Sequence, residues 1–178
     1  MLVKEELVKQ KYHYITLDLP KTITFITSQE LEDLYPDKTP EEREQLIVKE
    51  RKAVFIIGIG DELKSGVKHD KRSPDYDDWT LDGDLLIYDK TLDKTIEVSS
   101  MGIRVDKKAL LTQLEKTDSM DKLSLPYHQK IVKKELPYTI GGGIGQSRLL
   151  MLLLEKKHIS EVQQSSWQDK IEKELEEY

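Results

Sequence analysis

Leu2, Val3, Leu7 and Val8 recur at helical spacing within a highly charged stretch, and predict an amphipathic helix over residues 2–13. Residues 22–27, rich in β-branched and aromatic side chains, predict a strand. Ser28 is then placed to cap a short helix carrying Leu31 and Leu34, with Glu30 and Glu32 near its positive end. Thr39-Pro40-Glu41-Glu42 is a capping box with proline at the first helical position, opening a helix to about Lys52. Residues 53–60 form a continuous apolar run, the pattern of a central strand.

The pattern turns polar over residues 61–80, whose length and turn residues predict a loop. Tyr76 and Trp79 interleave its acids and are suited to anchor them against apolar neighbours. Leu85-Leu86-Ile87-Tyr88 and Thr95-Ile96-Glu97-Val98-Ser99 flank residues 89–94 and predict an antiparallel hairpin. Asp106 is a helix cap, followed by Leu110, Leu111 and Leu114 as a buried face. Residues 127–135 predict another helix, stopped by Pro137, in which His128 reads as structural because no nucleophile–base pair is near. Residues 168–178 look like a peripheral acidic helical end.

The most informative stretch is 139–154. A β-branched opening runs into Gly141-Gly142-Gly143-Ile144-Gly145, then Gln146-Ser147-Arg148 and an unbroken apolar run. Residues 146–154 are good helix formers, so the glycines are expected where a strand turns into a helix. Arg148 then falls in the first turn of a buried helix, where the helix dipole gives a cation nothing. Either it pairs with a structural acid, or it meets an anion such as a phosphate or carboxylate. The spacing fits neither a Walker loop nor a dinucleotide-binding fingerprint.

Composition narrows the classes. A chain of 178 residues suits one domain with a sizeable core. The net charge of -6 argues against a nucleic-acid footprint. With no cysteine there is neither a disulfide nor a thiolate metal site. No run reaches the ~18 apolar residues of a membrane span, and the opening residues carry no apolar signal region. A cytoplasmic protein is expected.

Three further positions carry candidate chemistry. Asp84 and Glu97 fall near the bases of the hairpin strands, where cross-strand neighbours can approach. They are either exposed acids or a pair joined by a cation such as magnesium. Arg104 follows the small residues Ser99-Ser100-Met101-Gly102, and its fork either pairs with Asp106 or meets a ligand carboxylate.

The segment Gly141 to Leu154 resembles the third signature motif of class II aminoacyl-tRNA synthetases, and more closely the C-terminal part of ammonia-dependent asparagine synthetase (aspartate–ammonia ligase). Residues 73–79 (SPDYDDW), 82–86 (DGDLL) and 97–106 (EVSSMGIRVD) agree with that family in order and wording. The resemblance spans nearly the whole chain but about the C-terminal half of the family's length.

It implies an α+β class II synthetase-like fold, a mixed, mainly antiparallel sheet flanked by helices, lacking the family's N-terminal portion. It implies ATP-dependent amidation of L-aspartate by ammonia through an aspartyl-adenylate. On it, Arg148 binds ATP phosphates with Gly143, Gly145 and Ser99 beside the nucleotide, and Glu97 and Asp84 hold Mg2+. Arg104 grips the aspartate side-chain carboxylate, while Asp77 holds the α-ammonium or guides ammonium, with Ser100 and Gly142 lining the pocket. Partners implied are L-aspartate, ammonia and ATP, a homodimer in the full-length family, and neither nucleic acid nor membrane. The isolated chain is expected to be weakly active or inactive. Two alternatives stay open: a non-catalytic paralogue binding aspartate, asparagine or adenine nucleotide, and a fragment of an aspartyl- or asparaginyl-tRNA synthetase core. The short link from Trp79 to Gly83 leaves the placement of Asp77 and Asp84 open.

Overall fold

The computed structural model describes residues 2–163. Their contacts divide into two compact units, one of residues 20–145 and one joining residues 2–19 to residues 146–163.

The larger unit is built on a five-stranded sheet of order β1-β2-β3-β4-β5. These strands are Thr24–Thr27, Ala53–Ile57, Asp77–Asp89, Lys94–Arg104 and Ile140–Ile144. β1 lies parallel to β2, and every other pairing is antiparallel. The hairpin read from the sequence is present and longer than expected. Its turn is closed by Asp89, whose Oδ1 accepts from the Thr91 and Leu92 amides at 2.7 and 3.3 Å.

Helices α2 (Ser28–Leu34) and α3 (Pro40–Arg51) cover one face of the sheet. Leu31, Ile47 and Val48 pack there with Val54, Ile56 and Leu86. Each such buried side chain contributes ~1.5–3 kcal/mol of transfer free energy. A second cluster joins Val105, at the end of β4, to Leu110 and Leu114 on α4 (Lys107–Lys116) and Ile131 on α5 (Pro126–Val132). The two predicted caps at Thr39 and Asp106 are made: the Thr39–Glu42 box closes, and the Asp106 carboxylate accepts from the Ala109 amide at 2.8 Å.

Five expectations need correction. The cap of α2 is Thr27, not Ser28, because the glutamate three residues after Thr27 completes the capping box. The freed Ser28 hydroxyl donates to the Gly58 carbonyl. Residues 77–80 are strand, not loop: Asp77 pairs in register with Arg104, and Trp79 is buried, its amide donating to Gln113 on α4. The link to Gly83 is thus continuous β3, with a register shift between Asp77 and Asp82. On α4 the third buried side chain is Gln113 rather than Leu111. α5 ends at Val132, because Lys134 takes a φ of 58°.

The last correction concerns the glycines. Gly141, Gly142 and Gly143 lie inside β5, and Gly145 alone stands at the junction with the next helix. None of the three has a left-handed φ. Two of them are needed for close approach: a Cβ on Gly142 would stand 2.7 Å from the Met101 Cβ and one on Gly141 2.1 Å from the Arg104 Nη2, whereas one on Gly143 would meet nothing within 4 Å.

The smaller unit contains α1 (Leu2–Lys11) and α6 (Gln146–Leu153). α6 buries Leu149, Met151, Leu152 and Leu153. Glu155 accepts from the Thr16 amide and hydroxyl at 2.9 and 2.8 Å. The predicted acidic tail lies outside the described residues. Among the described residues, no helix is long and apolar enough to cross a membrane.

Candidate active site

Asp77 and Arg104 are register partners across β3 and β4, and their side chains form an ion pair from Nη1 to Oδ1. The Arg104 Nη2 donates to the Tyr76 hydroxyl at 3.0 Å, and its Cζ stands 3.9 Å from the centre of the Tyr76 ring. The pair forms part of a cavity of about 270 Å³ with Arg72, Ser100 and the three β5 glycines. Small residues make the seat. A Cβ on Gly102 would come within 2.8 Å of the Asp77 Cγ, and one on Gly141 within 2.1 Å of the Arg104 Nη2. A larger groove of about 660 Å³ also uses Arg104, but its walls are mainly Tyr127, Ile131, Leu136, Tyr138 and surface lysines. The paired charges of the smaller cavity make it the candidate site.

The segment leading into β3 is held by side chains from the helices. Gln113 on α4 accepts from the Trp79 amide at 2.9 Å and donates to the Pro74 and Asp77 carbonyls, both at 3.0 Å. Asp75 pairs with buried His128 on α5 at 3.0 Å and with Lys122 at 3.3 Å, and accepts from the Ser73 hydroxyl at 2.6 Å. Burial disfavours the Asp75 carboxylate, but the Ser73, His128 and Lys122 contacts outweigh it and hold its pKa at about 2. His128 is thus buried and bonded to Asp75 within the fold.

A second group of charges flanks the cavity on the same face of the sheet. Asp84 opposes Ser100, and Glu97 opposes Leu86. A register shift between Leu85 and Leu86 inserts one residue into β4, and this bulge turns Glu97 onto the face of Asp84. Arg72 pairs with the Asp84 Oδ2 and donates to the Ser100 hydroxyl at 3.2 Å. Burial pushes the Asp84 pKa up against the pull of Ser100 and Arg72, and the nearby charge of Glu97 adds to the rise. Asp82, next along the face, is 3% exposed and accepts from the Ile59 amide at 3.0 Å. Burial raises its pKa to about 6, aided by the charges of Asp77 and Asp84.

Of the residues marked in the sequence, Asp77, Ser100, Arg104, Gly142 and Gly143 line one cavity, with Asp84 reached through Arg72. Ser99 is not among them: one step along β4 it is buried, donating to the Gly143 carbonyl at 2.8 Å. The Gly145 amide is bonded to the Val98 carbonyl at 3.0 Å. Arg148 stands in the first turn of α6 in the smaller unit, and it is exposed rather than buried as expected. Arg72, Asp82 and Gln113 escaped the sequence reading. Asp82 stands in the segment 82–86, but the partners of the three lie 12, 23 and 34 positions away, so no local pattern shows what they do.

Comparison with known proteins bears on the family and the fold. The family model described as aspartate–ammonia ligase matches residues 1–178. A relative from Clostridium perfringens named aspartate–ammonia ligase is 59% identical over 165 residues, covering 93% of this chain and 49% of that protein. One of the same name from Lactiplantibacillus plantarum is 55% identical over 163 residues, covering 92% and 51%. The chain therefore spans about half the length of the curated relatives it matches. Asparaginyl-tRNA synthetase from Pyrococcus horikoshii, solved with asparaginyl-adenylate, superposes with a TM-score of 0.56 at 18% identity, over 86% of this chain and 38% of that one. Aspartyl-tRNA synthetase from Entamoeba histolytica does so with 0.56 at 16% identity, over 89% and 34%. The fold is thus α+β and class II synthetase-like, as the glycine motif implied. Identity this low speaks for fold alone, whereas the sequence matches speak for descent: the chain belongs to the aspartate–ammonia ligase family.

Proposed function

We propose that this chain carries part of the site of an ATP-dependent ligase that amidates L-aspartate with ammonia through an aspartyl-adenylate, releasing AMP and pyrophosphate. The observation that carries the reading is the Asp77–Arg104 pair at the wall of a small glycine-lined cavity. An amino-acid zwitterion is complementary to such a pair, since Arg104 can exchange Asp77 for a ligand carboxylate and Asp77 can exchange Arg104 for an ammonium. Arg104 takes the side-chain carboxylate of aspartate. Asp77 takes the α-ammonium or draws in ammonium for the second step. Ser100 and Gly142 bound the same space, and a Cβ on Gly143 would meet nothing within 4 Å, leaving room for a ligand.

Formation of the adenylate brings a carboxylate against a triphosphate, so positioning and charge compensation are the main tasks. Arg148 is the residue for the ATP phosphates, with Gly145 nearby in sequence. Ser99 serves indirectly, by holding the Gly143 carbonyl. Asp84 and Glu97 suit a magnesium ion: they share a face, and the buried Asp84 Oδ1 has no hydrogen-bond partner. Bound there together with ATP oxygens, Mg2+ would offset phosphate charge. The homodimer of the full-length family is part of the same proposal.

The reading is tested by calorimetric titration of L-aspartate into the chain and into Arg104→Ala. Binding that is lost in the variant is expected; binding that survives it, or is absent from both, overturns the assignment of this cavity. A parallel assay of asparagine and AMP formation from aspartate, ATP, Mg2+ and ammonium, with Arg148→Ala as control, measures whether this length of chain turns over by itself. Little or no product is expected.

A further inference from the structure

The groove of about 660 Å³ shares only Arg104 with the candidate site. Its size is that of small-molecule sites, about 300–1,000 Å³. Buried Ile131 and half-buried Leu111 form its floor. Tyr127 and Tyr138 are exposed and supply two aromatic rings, the first steadied by an edge-on contact with the buried His128 ring at 5.9 Å. Around this apolar space stand Lys107, Lys108 and Lys134. Among the described residues, none of the three forms an ion pair. Asp106, the acid of the lining, is engaged in capping α4 through the Ala109 amide. The groove is thus basic on a chain of net charge -6. Lys107 and Lys108 open α4 at the positive end of its dipole, where a cation is disfavoured, so helix formation gains nothing from their charge.

We propose that this groove is a second ligand site, separate from the Asp77–Arg104 cavity, and that it binds a small aromatic phosphate monoester. Charge selects the head group. Three ammonium groups are point charges without the planar fork that fixes a carboxylate. Together they match a phosphate monoester, which carries about 1.5–2 negative charges at pH 7. Arg104 is held by Asp77, so the lysines rather than the site arginine take the phosphate. The tyrosine rings select the body, since a flat aromatic partner gains from stacking what an aliphatic one does not. The floor of Leu111 and Ile131 removes that body from water. Both halves of the ligand are needed. Exposed lysines alone hold a free phosphate weakly, because solvent and salt screen them.

Two measurements on the full chain test this. In the first, phenyl phosphate is titrated by calorimetry in about 0.1 M salt, where the Debye length is about 10 Å. One equivalent should bind, at least about tenfold more tightly than inorganic phosphate or phenol. Lys107→Glu combined with Lys134→Glu should weaken it at least about tenfold, and Tyr138→Ala about threefold. Lys90→Glu, a charge reversal in the β3–β4 turn, should leave it unchanged. No binding, binding no tighter than that of inorganic phosphate, or binding indifferent to the two lysines overturns the proposal. The second measurement uses the unmodified chain, and so does not depend on how a variant folds. In its 15N spectrum phenyl phosphate should move the amides of Lys107, Tyr127 and Lys134, and leave those of Ser100 and Gly142 in the smaller cavity in place. Shifts confined to Ser100 and Gly142 overturn the proposal, because they put the ligand in the smaller cavity. Self-association that Tyr138→Ala abolishes, with no uptake of phenyl phosphate, makes the groove an interface between copies and overturns it as well.

Discussion

A β-carbon on Gly141 would stand 2.1 Å from the Arg104 Nη2 and 2.6 Å from its Cζ. The conflict is with the far end of a flexible side chain, so the backbone of β5 need not move to relieve it. Gly141→Ala should therefore push the guanidinium out of its seat and leave the fold intact. Aspartate affinity is expected to fall about tenfold, ~1.4 kcal/mol, with a stability change under about 1 kcal/mol. Calorimetry and thermal melts on the same samples check both. A large loss of stability with unchanged affinity would contradict the role given to Gly141.

Gly60 is the opposite case. A Cβ there would stand 2.4 Å from Cδ1 of Trp79, a side chain that is 1% exposed and bonded through Nε1 to the Ser73 carbonyl. The indole has nowhere to go. Gly60→Ala should cost ~2–3 kcal/mol, in the range of overpacked cores, and a urea melt should show the loss as a lower midpoint.

These two glycines also mark what the sequence could tell. Capping boxes, the hairpin and the apolar strand of residues 53–57 were legible because their determinants sit within a few residues of one another. The Thr27-Ser28-Gln29-Glu30 box was equally local, and only the competing serine diverted the reading. β5 was harder, because three glycines in a row have no side chains to show the alternation of a strand. Asp77 and Arg104 could be marked through the family resemblance, but their pairing depends on a register visible only in the folded sheet. The bulge that turns Glu97 toward Asp84 has no signature in residue type at all.

Gln113 ties three backbone groups of the segment 74–79 to α4. Gln113→Ala strands the buried Trp79 amide, at a cost of ~1–3 kcal/mol. It also loosens the strand residue that presents Asp77. Faster hydrogen exchange at the Trp79 amide and weaker aspartate binding should appear together. Exchange that quickens without any change in binding would show that the cavity does not depend on this tether.

β5 lies at the edge of the sheet, with Ile140 81% and Ile144 63% exposed. An uncharged edge strand offers unpaired backbone groups and apolar side chains to a second strand. Sedimentation of the chain should show association that grows with concentration, and Ile144→Lys should reduce it. Monomeric behaviour of both across the accessible range would show that this edge is already protected.

Asp82 supplies the pH dependence. Its carboxyl is buried, and its pKa is raised from 3.8 to about 6. The native state therefore holds this proton more tightly than the unfolded chain. Stability from this group increases as pH falls from about 7 towards 4, and is lost as pH rises through 6. A shift of this size corresponds to about 2–3 kcal/mol. Asp75 has the opposite sign: its pKa is lowered to about 2, so its contribution is present above about pH 4 and lost below that. Asp82→Asn isolates the first effect, since an amide oxygen can still accept from the Ile59 amide without a charge to bury. The variant should be more stable than the unmodified chain at pH 8 by about 2 kcal/mol, and the difference should shrink to near zero by pH 4. Urea unfolding of both proteins at the two pH values measures it. A difference that does not change with pH would mean that the Asp82 carboxylate is stabilised by contacts other than those described.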